Sequence, residues 1–474
     1  MCKVITVSAT NRYMTQTDYM SWRMEADPIL RSTIVAVAVL DRVPDWPRFV
    51  DMMERGTKRV PIFRRKVFTA AVGVAPPRWV EDPDFDLTWH VRRCTLPEPG
   101  GWGAVLDFAR TTGMAAFDKE RPLWEFTVLG GLDHQRAALV MKVHHCLTDG
   151  VGGMQIAREI VDFTREGTVR ADDAEVVVPD DGRRPGPIDG VAWYRDMTGR
   201  MVRGMSIGAV RAGAGLIQRP ADAFRRSVDV AASTMRLTRP VRTTLSPVMR
   251  TRTTRRRFAV LEAPLEPLGR AAESAGGSLN DGFLAAILLG MAKYHRLHGA
   301  DIPALRVTLP ISLRTDTDPL GGNRITLARF ALPTNIGDPT QLVREVHAVV
   351  ERWRREPAIA LSSRIAGALN LLPASLLGNM LEHVDLVASN VVGSPVPLFV
   401  AGSQIIRYYA FSPTLGSALN VTLMSYTSHC CVGINADLGA VPDVETLTDC
   451  LADGFRAVLA LCSPAPDTAL VSVP

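Results

Sequence analysis

The chain has 474 residues, 47% of them hydrophobic, and a net charge of +5 from 54 Lys and Arg against 49 Asp and Glu. That length and apolar content support two packed domains, while no window approaches the roughly 18 uninterrupted apolar residues of a membrane-spanning helix. Seven cysteines, with Cys430 and Cys431 adjacent and no CxxC pair, argue against a disulfide framework or a zinc site and suit buried, reduced thiols.

The opening "MCKVITVSATNRYMTQ" has no basic stretch followed by an apolar one, which reads as a cytoplasmic chain, adhering to a membrane at most. "RSTIVAVAVLD" (Arg31 to Asp41) and "RAALVMKVHH" (Arg136 to His145) predict buried strands. Between them "DWPRFVDMMERGTKR" predicts a helix, because Phe49, Met52 and Met53 fall on one face. From Arg165 to Gly190 the chain is acidic, rich in Pro and Gly and without helical or strand period, which predicts an exposed linker. Val191 to Arg257 then holds fifteen arginines against three aspartates, a local excess of twelve positive charges, so the remaining residues sum to minus seven.

Past this belt, "SLNDGFLAAILLGMAKYHRLHG" predicts a helix that Ser278 or Asn280 can cap and Gly299 ends. "ALRVTLPISLR" and "RITLARFALPT" predict strands. "DPTQLVREVHAVVERWRREP" predicts an amphipathic helix with Leu342, Val346, Val349, Val350 and Trp353 on one stripe. Strands return in "NVTLMSYTSHCCVGINAD", and "DVETLTDCLADGFRAVLALC" closes with a further amphipathic helix. Strand and helix alternate in both halves, so the expected class is α/β with mixed sheets, divided into residues 1–164, a connector over 165–257 and residues 258–474. The belt interleaves Arg with apolar residues at a helical tendency, which fits either a peripheral contact with an anionic membrane or lipid droplet, or a bridge between domains. Nucleic acid is not an expected partner, because the aromatic residues and groove-reading motif that accompany such patches are missing.

The chemistry concentrates in "ALVMKVHHCLTDGVGGMQIAREI" (Ala138 to Ile160). Neighbouring strand residues point to opposite faces, so His144 and His145 cannot both address one substrate atom; one works and the other supports. A metal site would favour same-face spacing and further ligands nearby, and none cluster here, so no metal is expected. An adjacent His pair is more often structural than catalytic. Against that, Asp149 followed by Gly150, Gly152 and Gly153 marks a tight turn into a helix, with backbone brought close to something.

The run "HHCLTDG" (His144 to Gly150) resembles the HHxxxDG signature of the acyltransferase superfamily that includes chloramphenicol acetyltransferase and nonribosomal peptide condensation domains. "RPLWEF" (Arg121 to Phe126), "SLNDG" (Ser278 to Gly282), "LPISLR", "GGNRIT" (Gly321 to Thr326) and "SNVVGSPVPLFVAG" (Ser389 to Gly402) are similar to motifs of the bacterial wax ester synthase/diacylglycerol acyltransferases, in order and spacing across nearly the whole chain. The early "MTQTDYMSWRME" and "DFDLTWHVRR" resemble that family as well, while Val392 and Ser394 stand where it more often has Pro and "STIVAVAVLD" is atypical.

The resemblance implies two chloramphenicol acetyltransferase-like subdomains with the active-site channel between them. It also implies an acyl-CoA thioester donor, used as substrate with no cofactor, and a diacylglycerol or long-chain alcohol acceptor. A hydroxyl is a poor nucleophile at neutral pH, so His145 is expected as general base, with His144 supporting and no acyl-enzyme intermediate. Cys146 beside it invites a Cys-His mechanism, but the adjacent position should point the thiol away. By resemblance Asp149 forms an internal salt bridge, with Arg64 in "VPIFRRKV" the best-matched partner and Arg65 an alternative, and Gly150 admits a backbone approach that a Cβ would obstruct. Asn280 and Asp281 are candidates for the oxyanion donor, or else cap the helix. Pro122 and Trp124 suit packing of the site, and Arg314 and Asn323 stay open between packing and substrate contact. Alternatives are another lipid alcohol as acceptor, a carrier-protein donor, or an inactive member that binds lipid or coats droplets.

Overall fold

The computed structural model describes residues 13–69, 76–168, 243–313, 323, 325–356, 362–370 and 383–462. The linker beyond residue 168, the basic stretch as far as residue 242, and Arg314, Gly321 and Gly322 lie outside the described residues.

Helix α1 (Gln16–Met24) is nucleated by a reciprocal cap: the Thr15 hydroxyl accepts the Asp18 N–H at 3.1 Å and donates to the Asp18 carboxylate at 2.7 Å. Strand β1 (Thr33–Leu40) leads into α2 (Trp46–Arg59), whose N-cap Asp45 accepts the Arg48 N–H and whose inward face buries Phe49, Met52 and Met53. The paired β2 (Arg65–Phe68) and β3 (Arg78–Glu81) follow, then α3 (Leu87–His90), β4 (Val91–Thr95), α4 (Trp102–Met114), β5 (Trp124–Gly130), β6 (Ala137–His144) and α5 (Gly150–Ile160).

Further along come β7 (Arg256–Pro264), α6 (Leu265–Ser274), α7 (Leu279–Leu297), β8 (Ala304–Ser312), β9 (Ile325–Pro333), α8 (Pro339–Arg354) and α9 (Ser362–Leu369). The chain closes with β10 (Leu386–Val391), β11 (Phe399–Val400), β12 (Ser403–Phe411), β13 (Leu419–Tyr426), β14 (His429–Asp437) and α10 (Val444–Leu459). The stripe expected on α8 is the one that packs: Leu342, Val346 and Val350 are buried, and Val349 and Trp353 lie partly buried against the same core.

Two mixed six-stranded sheets organise these elements, in the orders β11-β12-β1-β6-β5-β4 and β7-β14-β13-β10-β8-β9. In the first, β1 runs antiparallel to both β6 and β12, and β4 lies parallel to β5. In the second, β10 is parallel to β13 and β8 while the outer pairs are antiparallel. The expected α/β class with mixed sheets is therefore the one observed.

One feature of the order was not readable from local pattern. After Val391 the chain leaves the second sheet, adds β11 and β12 to the first, and returns at Leu419. This crossing ties the layers together. Phe411 at the end of β12 stacks on Phe258 of β7 at 4.3 Å, and Phe258, Val260 and Cys431 from the second sheet pack into the core of the first. The core of the other layer centres on α7, which approaches α10 so closely that a Cβ on Gly454 would meet the Ala286 carbonyl at 2.0 Å. No single described helix is long and apolar enough to cross a membrane, and α7, bent 90° from α6, spends its apolar residues on this core.

Candidate active site

The apolar run of β6 ends at His144, opposite Thr33 of β1, and the chain then turns through His145 to Leu147 before Asp149 caps α5. Backbone bonds fix the turn: His144 N–H to Leu123 O at 3.0 Å, His145 N–H to Ser32 O at 2.8 Å, and Leu147 N–H to His144 O at 3.0 Å. Asp149 Oδ1 accepts the Gly152 N–H at 2.7 Å, as a helix N-cap carboxylate should. Gly150 is small for a packing reason: a Cβ there would lie 2.8 Å from a methyl of Val391, in the "SNVVG" segment.

The two histidines occupy different environments. His144 is fully buried, edge-on to Trp22 and Phe117, with Nε2 3.2 Å from Glu25 Oε2 and Nδ1 accepting the Cys146 N–H at 3.1 Å. Its proton therefore belongs on Nε2, toward Glu25. Cys146 Sγ lies 2.9 Å from the same Nδ1, and burial, with Asp18 and Glu25 nearby, pushes its thiol well above the ordinary range. That thiol is protonated and turned toward His144, away from His145.

His145 is half-buried, and its Nδ1 is 3.1 Å from Asn323 Nδ2. Burial holds its pKa below the ordinary histidine value; the charge of Asp149 and a bond from the ring to the residue's own carbonyl oppose that, and His144 adds to it. Asn323 is itself anchored, its N–H donating to Asp18 Oδ1 at 3.0 Å. Asp18 is 2% exposed, and burial, helped by the charge of Asp149, pushes its carboxyl up to about 7 against the lowering effect of its bonds from Thr15 and Asn323.

The other expected residues separate. Pro122 and Trp124 are buried; Trp124 stacks between Phe63 and His90 and donates its indole N–H to Phe63 O at 2.8 Å. The bridge expected between Arg64 and Asp149 is not formed. Arg64 reaches back to α2, pairing with Glu54 at 2.6 Å, bonding Thr57 and covering the Phe85 ring, while Arg65 pairs with Glu81 at 2.8 Å. The physical reason is proximity: Arg64 ends a short 3-10 turn directly after α2, which places its guanidinium beside that helix.

Asp281 is taken up in the cap of α7, accepting the Ser278 N–H and hydroxyl at 2.8 Å each, and pairs with His347 at 2.8 Å. Neither Asn280 nor Asp281 makes a described contact with His145, so the capping alternative describes Asp281. Sequence reasoning missed Asp18, Glu25 and the anchoring part of Asn323. Thr15-x-x-Asp18 is a capping-box signature that could have exposed the first, whereas nothing local marks Glu25.

Comparison with known proteins gives this geometry a family. Residues 12–283 match the model of the wax ester synthase/diacylglycerol acyltransferase catalytic domain, and residues 321–458 match that of the WS/DGAT C-terminal domain. The chain belongs to the wax ester synthase/diacylglycerol acyltransferase family. A Mycobacterium tuberculosis relative provisionally named a diacylglycerol O-acyltransferase is 34% identical over 461 residues, covering 95% of this chain and 92% of its own. Among solved structures, the wax ester synthase/diacylglycerol acyltransferase of Marinobacter aquaeolei VT8 superposes with a TM-score of 0.62 at 21% identity, over 94% of this chain and 98% of that one. The starter condensation domain of rhizomide synthetase, in complex with C8-CoA and Leu-SNAC, superposes at 0.59 and 14% identity over 98% and 97% of the two chains. As a WS/DGAT member the protein is an acyltransferase of lipid metabolism with the two-subdomain fold that condensation domains share.

Proposed function

We propose that the protein moves a long-chain acyl group from an acyl-CoA thioester to the hydroxyl of a diacylglycerol or a long-chain alcohol, with His145 as general base. Family membership supports the reaction class. The observation that carries the residue assignment is the contrast within the pair: His144 is sealed among Glu25, Trp22, Phe117 and Cys146, whereas the His145 ring is half-buried and held at Nδ1. The bound C8-CoA of the structurally similar condensation domain is consistent with a CoA donor.

The reaction needs a free Nε2 lone pair, so this reading takes Nδ1 as the protonated nitrogen of His145. Asn323 Oδ1 is buried without a hydrogen-bond partner among the described residues, and a half-turn of that amide offers it to Nδ1–H. Nε2 is then the free lone pair. The acceptor hydroxyl gives its proton to Nε2 as its oxygen attacks the thioester carbon. Collapse of the tetrahedral adduct breaks the C–S bond, and the thiolate takes the proton back from Nε2, leaving an ester and free CoA thiol. Lowering the pKa by burial keeps the ring neutral, hence basic, at pH 7.

Asp149 is read as structural support through the α5 cap, with Gly150 accommodating Val391. The division at 1–164, 165–257 and 258–474, and a peripheral lipid contact through the basic connector, belong to the same reading. The test is His145→Ala, assayed with labelled palmitoyl-CoA and both acceptors together, the products separated by thin-layer chromatography. A loss of about a hundredfold to ten-thousandfold is expected; undiminished transfer removes His145 as the base. The ester that accumulates in the parent reaction, triacylglycerol or wax ester, identifies the acceptor.

A further inference from the structure

Helix α1 presents two buried carboxylates, Asp18 and, at the C-cap where the backbone is still helical, Glu25. Seven positions make two turns, so both side chains leave the same face of the helix. That face lies against the histidine turn: the charges of Asp18 and Glu25 both act on the Cys146 thiol. Asp18 reaches His145 through Asn323, whereas Glu25 meets the other histidine directly, with Oε2 3.2 Å from His144 Nε2. One helix thus addresses both members of the pair.

Burying Glu25 is unfavourable, and its neighbours offset only part of the cost. Arg31 Nε stands 3.6 Å from Oε1, and the buried Lys142, held 4.1 Å over the Phe117 ring, feels the Glu25 charge. Neither cation aligns with the carboxylate: among the described residues both Glu25 oxygens, Arg31 Nε and His144 Nε2 lack a regular hydrogen bond. The link to His144 is therefore one of charge and dipole. A carboxylate held this way in the interior destabilises the chain, so its place beside the turn calls for a role that an apolar side chain would not fill.

The role follows from the ring it faces. The Cys146 N–H can only donate, and it donates to His144 Nδ1 at 3.1 Å, so that nitrogen keeps its lone pair and the ring proton sits on Nε2. The Glu25 carboxylate attracts Nε2–H and so favours the tautomer that accepts from Cys146. That N–H belongs to the peptide joining His145 to Cys146. Through it, Glu25 restrains the backbone from which the His145 ring projects.

We propose that Glu25 is a positioning residue for acyl transfer, holding the His145 ring in place through His144 and the Cys146 peptide. The inference rests on the acyl-transfer reading above. Two variants test it in the full chain: Glu25→Leu, similar in size but without the carboxylate, and Glu25→Asp, which keeps the carboxylate one methylene short. Both are assayed with labelled palmitoyl-CoA and with diacylglycerol and a long-chain alcohol as acceptors. Glu25→Leu should lower kcat about tenfold to a hundredfold, the scale on which a misplaced catalytic group loses rate, with KM for donor and acceptor at the parent value. Glu25→Asp should recover part of that rate. In a His145→Ala background Glu25→Leu should have no further effect, because a residue that acts through the base then has nothing to position. Parent kcat in Glu25→Leu, a KM that rises as kcat falls, or an equal further loss in the His145→Ala background overturns the positioning role while leaving His145 in place. Should Glu25→Leu fail to fold, Glu25→Asp decides alone through the same three measurements. A parent protein that transfers from palmitoyl-CoA to neither acceptor overturns the acyl-transfer reading and the positioning role with it.

Discussion

Asn323 and His145, 178 positions apart in the chain, meet through their side chains at 3.1 Å. The contact joins the segment preceding β9 to the turn after β6, and the Asn323 backbone is held in turn by Asp18 of α1. Under the proposed function Asn323 acts on the chemistry through His145, as a positioning residue. Asn323→Ala should lower kcat with little change in KM for either substrate. Asn323→Asp should do something a merely structural residue would not: a carboxylate at Nδ1 favours the imidazolium, moving the acid limb of the kcat/KM profile upward by about 1–2 pH units. In the parent that limb should fall below the ordinary histidine value of about 6.5, because burial lowers the His145 pKa. Steady-state kinetics from pH 5 to pH 8 decide the matter, and identical profiles for parent and Asn323→Asp would detach Asn323 from the base.

Asp18 gives a stability prediction with a definite sign. Its carboxyl is raised from 3.8 to about 7 in the folded chain, so the folded state holds the proton more tightly than the unfolded state does. Its contribution is present in full below the unfolded pKa and is lost as pH rises through the folded one. Across pH 4 to 7 that loss amounts to at most about 4 kcal/mol, three pKa units at roughly 1.4 kcal/mol each. Asp18→Asn keeps an acceptor for Asn323 without the ionisation, so it should become progressively more stable relative to the parent over that window. Urea unfolding at pH 4.5 and pH 7 measures the difference, and parallel behaviour of the two proteins would mean that Asp18 ionises freely.

Much of the architecture was legible because it is periodic. The runs that became β1, β6, α2, α7, α8 and α10 carry their burial pattern in their own spacing, and Asp45 and Asp338 mark two helix starts. What was not legible is non-local. Nothing within Phe399–Phe411 says that β12 pairs with β1, more than 360 positions earlier, and that β11 adds outside it, because strand partnership is settled by which edge remains open. The Arg64 expectation failed for a related reason: a motif specifies a residue type, while Glu54, one helix away in space, specifies where the guanidinium goes. Conversely, the HHxxxDG run carried its turn and its α5 cap in seven letters, since Asp at an N-cap and Gly after it are local requirements.

Cys146 offers a clean separation of mechanisms. Its thiol is buried, pushed well up and turned to His144, so it is a packing residue of the turn. Cys146→Ala should retain acyl transfer within a few-fold, while His145→Ala loses at least a hundredfold. Rapid-quench detection of a stable acyl thioester on the parent protein, absent from Cys146→Ala, would instead establish covalent catalysis.

Gly150 and Val391 make the last prediction, about how the second half of the chain braces the histidine turn. An added Cβ at Gly150 would come within 2.8 and 3.2 Å of the two Val391 methyls, and Val391 is 8% exposed on a central strand of the second sheet. Neither partner can yield cheaply, so Gly150→Ala should destabilise by about 1–3 kcal/mol through overpacking. Activity should drop further than stability, because the push falls directly on the turn that aims His145. Val391→Ala alone removes buried methyls and should also destabilise, but in the double variant the space vacated by one change receives the other. The pair should therefore be less destabilised than the sum of the singles, by a coupling of about 0.5–3 kcal/mol, with part of the activity recovered. Denaturant midpoints for the four proteins of this cycle measure the coupling, and strict additivity would show that the Gly150 requirement lies in the backbone of α5 and not in the strand that presses against it.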